Sequence, residues 1–301
     1  MELRDHQGLT AEEFLKSYDA GKFERPSVTV DTAIFTITSD DEVNQRNLSN
    51  RELQVLLIKR GGHPFLGQWA LPGGFVNPAE DIDQAAVREL KEETNLDCSY
   101  MEQLYTWGEV NRDPRTRVIS ISYLALLDST KFDIQAGDDA ADAKWYTVKD
   151  TVLKKEKTLT EDGFIQQKWV RLELMSDEVT LSAVIKIIKI VKGTTIEYRR
   201  EVVEQTGIAF DHGRIIQYSI ERLRNKVDYT DIAFGLMPQR FTLSELQKVY
   251  EVILGKKLYK AQFRQKIEKM VNGTGEFQRG KAHKPAELFR FNPNWDEDDN
   301  F

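Results

Sequence analysis

Three acids, Glu89, Glu92 and Glu93, sit close together in the run Arg88-Glu89-Leu90-Lys91-Glu92-Glu93. On a helix turning about 100° per residue they share roughly 100° of arc, and so one face. Carboxylates placed this way repel one another and destabilise the helix unless a cation sits among them. A hard divalent ion, Mg²⁺ or Mn²⁺, takes oxygen donors of this kind and is a platform for phosphate chemistry. The alternative is a solvated acidic face, the common fate of a Glu-rich helix. Ahead of the run stand Gly67, Trp69, Leu71-Pro72-Gly73-Gly74 and a lone acid, Glu80.

The order Gly74, five residues, Glu80, seven residues, then Arg88 to Glu93 resembles the Nudix box. Every charged position matches. The departure is Asn95, where the family has a second glycine; Asn visits the left-handed region more readily than most residues. The resemblance implies an α+β fold, an N-terminal Nudix α/β/α sandwich with a mixed sheet, and Mg²⁺-dependent pyrophosphohydrolase chemistry. Glu89, Glu92 and Glu93 would bind the metal, with the carbonyl of Gly73 completing the shell. Arg88 would pair with a box acid and fix its rotamer, which a bidentate guanidinium does better than a lysine. The general base in such sites is usually an acid outside the box, and Glu109 and Asp113 are the nominees. The stretch Gly108 to Arg115 resembles the loop of ADP-ribose-handling members. Arg112 and Arg115 would there hold a diphosphate or a terminal ribose, or else belong to a plain surface loop. Arg60 fits the place of a phosphate-contacting arginine. Phe65 and Trp69 either stack an adenine or pack beneath the loop.

The chain that must position these groups has 301 residues, enough for two domains. Its 40% apolar and 30% charged residues are those of a soluble globular protein. A single cysteine, Cys98, excludes an internal disulfide and fits a reducing, cytoplasmic setting, with packing its expected role. No apolar run reaches membrane-spanning length, and the N-terminal stretch has no signal-peptide core, so no membrane partner is expected. The net charge of −7 is unevenly spread: Gly255 to Arg290 holds ten basic residues against three acids, which leaves −14 on the remainder. Such separation points to an anion-binding C-terminal part.

Periodicity predicts a short helix over Thr10–Ala20, with a Thr10/Glu13 capping box, and strands over Ser27–Thr38 and Leu53–Lys59 around a polar loop. Strands follow at Tyr105–Val110, Val118–Leu127 and Ala143–Val148, the last leading to a short helix near Val148–Leu153. Three more strands, Phe164–Leu174, Thr180–Val191 and Thr194–Val203, would extend the first domain or cover its edge. His212–Lys226 reads as a helix with Ile215, Ile216, Ile220 and Leu223 on one stripe. His212 itself is a ligand or, in the blander reading, a helix-start histidine bonded to its neighbours. The division expected is residues 1–157, a strand-rich extension over 158–210, a linker helix over 211–237, a DNA-binding unit over 238–292 and a loose acidic tail over 293–301.

That last unit opens with Thr242 capping a helix and Glu245 reaching back, and Gly255 stops it. A second helix over Lys260–Val271, a break at Asn272–Gly275, a basic loop and a strand over Ala286–Phe291 describe a winged helix. A Nudix domain joined to a winged helix through DHGRIIQYSIERLR and PQRFTLSELQKVYEVILGK resembles the Nudix-related regulators of NAD metabolism. The resemblance implies a homodimer that senses an ADP-ribose-like nucleotide and binds double-stranded DNA. Lys260, Gln262, Arg264, Gln265 and Lys269 would face the major groove, and Arg279, Lys281, His283 and Lys284 would form the wing. Because all the metal-binding acids survive, the leading expectation is a hydrolase of ADP-ribose or a similar nucleoside diphosphate derivative that also binds DNA. The competing expectation is an ADP-ribose-sensing or sugar-sensing transcription regulator with negligible turnover.

Overall fold

The computed structural model describes residues 3–39, 51–96, 98–131, 143–278 and 285–296. After a capped helix α1 (Ala11–Ser17), the chain builds one large sheet. Its strands are β1 (Ser27–Ser39), β2 (Arg51–Lys59), β3 (Trp69–Ala70), β4 (Gly73–Phe75), β5 (Tyr100–Trp107) and β6 (Val118–Leu126), followed by β7 (Ala143–Thr160), β8 (Gly163–Met175), β9 (Thr180–Lys192) and β10 (Thr195–Thr206). The order is β10-β9-β8-β7-β2-β1-β6-β5, with β3 on β2 and β4 on β1. β1 and β6 run parallel and the other pairs antiparallel, which makes the sheet mixed.

Alternation along β1 assigns its two faces. Val30 and Ile34 point to α2 (Ile82–Thr94) and pack with Ala85, Ala86 and Leu90, while Ala33, Phe35 and Ile37 enter the larger core on the opposite side. The N–H of Asp81 donates to Gln84 Oε1 at 3.1 Å, which secures the start of α2. Asn95 ends it in the left-handed conformation, φ 53°, so Asn does the work of the missing glycine.

On the other face lie α3 (His212–Lys226), α4 (Leu243–Leu254), α5 (Lys260–Ile267) and the hairpin β11 (Val271–Phe277) with β12 (Glu287–Phe291). Ile215, Ile216, Ile220 and Leu223 of α3 share one core with Leu57, Leu172 and Ile185 of the sheet and with Leu246, Val249 and Phe263 of the helices beyond. The sheet is therefore covered on both faces, an α/β/α sandwich with the winged helix docked on one side. Arg224 pins the joint: its NH1 and NH2 each donate to Asp150 at 2.6 Å, and its Nε donates to the carbonyl of Ile253 in α4 at 2.9 Å.

Several expectations are corrected. No helix forms near Val148–Leu153, because β7 continues through it, paired with β8 on either side of a bulge at Leu153, and the β-branched Thr147, Val148, Thr151 and Val152 suit that pairing. The division at residue 157 consequently falls inside β7, and the strands beyond it extend the same sheet. Helix α5 stops at Ile267, a 3-10 turn follows over Glu268–Met270, and Asn272–Gly275 belongs to β11 rather than to a break. The tail is not wholly loose, since Trp295 packs in the main core at 9% exposure. The polar loop beyond Ser39, the wing residues Arg279, Lys281, His283 and Lys284, and the last residues of the tail lie outside the described residues.

One core spans both halves, so heat should unfold the sheet and the winged helix in a single calorimetric transition. Ile220→Ala, at the centre of that core, should cost about 3 kcal/mol and lower the one transition as a whole. Two separate peaks would show independent halves.

Candidate functional site

The site begins at the turn that leads into α2. Gly73 has φ 156° and a side chain there would run into the Val30 carbonyl, so the turn can lie flat on β1 only without a Cβ. A Cβ on Gly74 would strike the carboxylate of Glu89. The two glycines thus let the acids of α2 approach the backbone. The N–H of Gly73 donates to Glu93 Oε2 at 2.7 Å.

Arg88 organises the remaining acids. Its Nε and NH2 donate to the two oxygens of Glu80 at 2.9 and 2.7 Å, its NH1 donates to Glu89 at 2.8 Å and Glu92 at 3.0 Å, and NH2 also reaches the carbonyl of Phe75. The guanidinium beside Glu80 holds that carboxyl down to about 2. Glu93 behaves oppositely: burial, reinforced by Glu89 and Asp31, pushes its carboxyl up to about 7 despite the Gly73 hydrogen bond. Glu92 remains the outward member, its side chain 61% exposed against 12% for Glu89. As they stand, no three of these acids converge as a ready-made metal cage among the described residues. The donor set nonetheless fits a hard cation. It is all oxygen, it crowds negative charge into one corner, and the bare Cα of Gly74 leaves the cradle in which the Glu89 carboxylate rests.

Beside the acids lies a cationic, aromatic patch. Arg60 and Arg115 place their guanidinium carbons 4.8 and 5.7 Å from the ring centre of Phe210, and Arg115 also lies 5.4 Å from Phe75. Phe65 meets Phe210 edge-on at 4.7 Å. Burial and the neighbouring Arg115 lower the pKa of Arg60, the mark of two cations held close together. Arg115 is paired with Asp113 at 2.7 Å and remains 40% exposed. Trp69 is turned to Tyr146, 5.1 Å away, and packs in the sheet.

Arg112 lies elsewhere. Its side chain is 4% exposed and NH2 donates to Asp211 Oδ1 at 2.7 Å, with Asp31 3.7 Å away. Asp211 also accepts from Arg214 at 2.5 Å, and Arg214 in turn holds Glu109 through bonds of 2.7 and 3.0 Å. Burial is opposed by the guanidinium groups of Arg112 and Arg214, and these two cations keep the Asp211 carboxyl below the usual range. His212 is buried and accepts from the Leu71 N–H at its Nδ1, 2.8 Å, with Nε2 3.5 Å from Asp31. Burial lowers its pKa, so it stands as a neutral, neighbour-bonded histidine. Both nominated bases, Glu109 and Asp113, are engaged by arginines. Sequence reasoning passed over Phe210, Asp211, Arg214, Asp31 and Ser120, whose hydroxyl donates to Asp31. The DHGR string was visible as a motif, but its partners lie about a hundred residues away.

In the winged helix, Phe263 and Ile267 anchor α5 against Tyr250, 5.2 Å from Phe263. Lys260, Gln262, Arg264, Gln265 and Lys269 are all exposed.

Residues 43–168 match the NUDIX domain family, and residues 233–291 match the NrtR DNA-binding winged helix domain. The chain is 31% identical over 281 residues to the ADPR responsive transcriptional repressor NtrR of Acinetobacter baylyi, covering 92% of this chain and 87% of that protein. It is 44% identical over 96 residues to an ADP-ribose pyrophosphatase of Methanocaldococcus jannaschii, covering 32% of this chain and 56% of that protein. Among solved structures, Shewanella oneidensis NrtR complexed with a 27mer DNA superposes with a TM-score of 0.60 at 30% identity, covering 88% of this chain and 94% of that one. No helix among the described residues is long and apolar enough to cross a membrane.

Because the folded state raises the Glu93 carboxyl to about 7, it favours the protonated form. That contribution to stability is complete below the ordinary carboxylate pKa and is lost as pH rises through 7. In metal-free buffer Glu93→Gln, which keeps an oxygen for the Gly73 N–H, should therefore melt above the parent at about pH 8 and close to it at about pH 4. Equal melting temperatures at both pH values would contradict the burial of that charge.

Proposed function

The chain belongs to the NrtR family, in which a Nudix domain is joined to a DNA-binding winged helix, and from that premise we propose that it is a transcription regulator whose grip on double-stranded DNA changes with an ADP-ribose-like nucleotide at the Nudix site. The observation that carries this reading is the ion-pair chain Arg112–Asp211–Arg214–Glu109. It fastens the loop beside the nucleotide site to the first turn of α3, and the last turn of α3 is fastened to α4 by Arg224. A ligand that moves the loop must strain or move the helix on which the winged helix rests.

Residues have separable tasks in this reading. Arg60 and Arg115 would take the diphosphate, with Phe210, Phe75 and Phe65 offering ring faces and edges to the base or ribose. Glu89, Glu92 and Glu93 would hold Mg²⁺ or Mn²⁺, which supplies charge neutralisation at the diphosphate when bound. Arg88 keeps Glu89 and Glu92 oriented, and the Gly73 N–H holds Glu93. Arg112 acts at a distance from the ligand, by holding Asp211. Lys260, Gln262, Arg264 and Gln265 would meet the major groove, and Lys269 the phosphates beside it. Dimerisation and a cytoplasmic location belong to this proposal on the same family basis.

Hydrolysis is proposed as a retained second activity, supported by the complete acid set and by the likeness to the archaeal pyrophosphatase over 96 residues. With its metal-binding acids intact, the site would split ADP-ribose into AMP and a phosphosugar.

Fluorescence anisotropy on a duplex bound by the parent should show a several-fold change in affinity when ADP-ribose is added. Arg115→Ala should abolish that response while preserving DNA binding without ligand. An unchanged response in the variant would remove Arg115 from the ligand site. In a Mg²⁺-dependent assay of AMP release, Glu92→Gln should lose at least about a hundredfold in rate and still bind DNA. Full turnover by the variant would take Glu92 out of the chemistry.

A further inference from the structure

The extension β7–β10 carries a charge asymmetry that neither nucleotide binding nor the winged helix uses. Residues paired across antiparallel strands point to the same face. Three successive rows at its outer end read Lys155, Lys168, Ile187, Arg200; then Lys157, Gln166, Lys189, Tyr198; then Leu159, Phe164, Val191, Ile196. That face holds five cations and no acid. The same three levels on the opposite face hold Lys154, Lys186 and Arg199 against Glu156, Glu197 and Glu201, with Lys154–Glu156 and Arg199–Glu197 paired at 2.6 Å. One face is neutralised residue by residue and the other is not.

Arg200 is satisfied by Glu221 of α3 at 3.1 Å. Lys155, Lys157, Lys168 and Lys189 make no ion pair among the described residues; Glu156, which stands between Lys155 and Lys157 in the chain, lies on the opposite face and pairs with Lys154. Lys155 lies directly opposite Lys168, an arrangement that destabilises a sheet in the absence of a counter-charge. Aromatic rings steady part of the strip: Lys157 lies 4.1 Å and Lys189 6.0 Å from the ring centre of Phe164, and Lys189 is 5.5 Å from Tyr198.

This is also the face that carries the winged helix. Further along the same strands, Val170, Leu172, Leu174 and Ile185 project to that side and enter the core shared with α3 and α4. We propose that the lysine strip Lys155, Lys157, Lys168 and Lys189 is a second DNA-contacting surface, which takes the phosphate backbone of duplex flanking the segment held by the winged helix. A second copy of the chain is disfavoured as occupant, because an acid-free basic patch repels its own image. The choice of DNA as the polyanion rests on the winged-helix reading; the unbalanced strip does not.

The test uses the full chain and random-sequence duplexes of about 20 and about 60 base pairs, the shorter spanning about two helical turns. Anisotropy titrations over a range of salt are compared for the parent, for K155Q/K157Q/K168Q/K189Q, and for the arginine counterpart K155R/K157R/K168R/K189R. The glutamine variant should lose about tenfold or more in affinity for the long duplex, lower its salt slope by about three, and bind the short duplex like the parent. The arginine variant should bind both like the parent, which separates lost charge from damaged folding. The proposal is overturned if the glutamine variant keeps the parent's affinity and slope on the long duplex. It is equally overturned if size exclusion shows that variant falling from dimer to monomer, since the strip would then be a contact between copies. K260A/R264A is the control for the winged helix: retention of parental binding to the short duplex would sink that reading, and leave the strip to be judged on the long one.

Discussion

The tie between the loop after β5 and the helix that seats the winged helix depends on a buried carboxylate, Asp211. It sits at the entrance to α3, held by Arg112 from the loop after β5 and by Arg214 from its own helix. A charge in such a place is tolerated only while its partners remain, and removing one partner of a buried pair costs several kcal/mol. The loop, the sheet at Asp31 and the start of α3 are therefore bound to move together or not at all. That constraint turns a nucleotide site and a DNA-binding unit on one chain into a single device.

The box itself shows how like charges are managed before any ligand arrives. Arg88 is shared among Glu80, Glu89 and Glu92, while Glu93 is placed where it prefers to keep its proton. The arrangement holds a negative corner ready beside the positive patch of Arg60 and Arg115. A diphosphate with its metal is complementary to both at once, charge against charge on each side. Two glycines make the approach possible, because a methyl group on either would collide with the Val30 backbone or the Glu89 carboxylate.

The long antiparallel extension gives the winged helix its seat. Leu172, Leu174 and Ile185 bury against α3, and Asp150 of β7 anchors Arg224 at the far end of that helix. Beyond the seat the strands project with one balanced and one basic face. A ribbon that served only as support would have no reason to separate its charges in this way.

Local signals were legible directly from the chain. The Thr10 and Thr242 caps, the Gly255 stop and the helical spacing of the α3 stripe rest on contacts within about four residues, and each appears as expected. The likeness to Nudix and winged-helix proteins likewise lies in short strings. Signals that depend on distant partners were not legible. Val148–Leu153 is a strand because β8 lies beside it, and Trp295 is buried because the core reaches it. Arg112 turns inward because Asp211, 99 residues away, awaits it, and no periodicity in the neighbourhood of Arg112 contains that information. The amino-acid sequence by itself determined which chemistry could occur, since carboxylate spacing on a helix is a local matter. Only the tertiary structure decided which arginines gather beside the acids and which lock the helix, because burial and pairing are set by what the rest of the chain brings alongside.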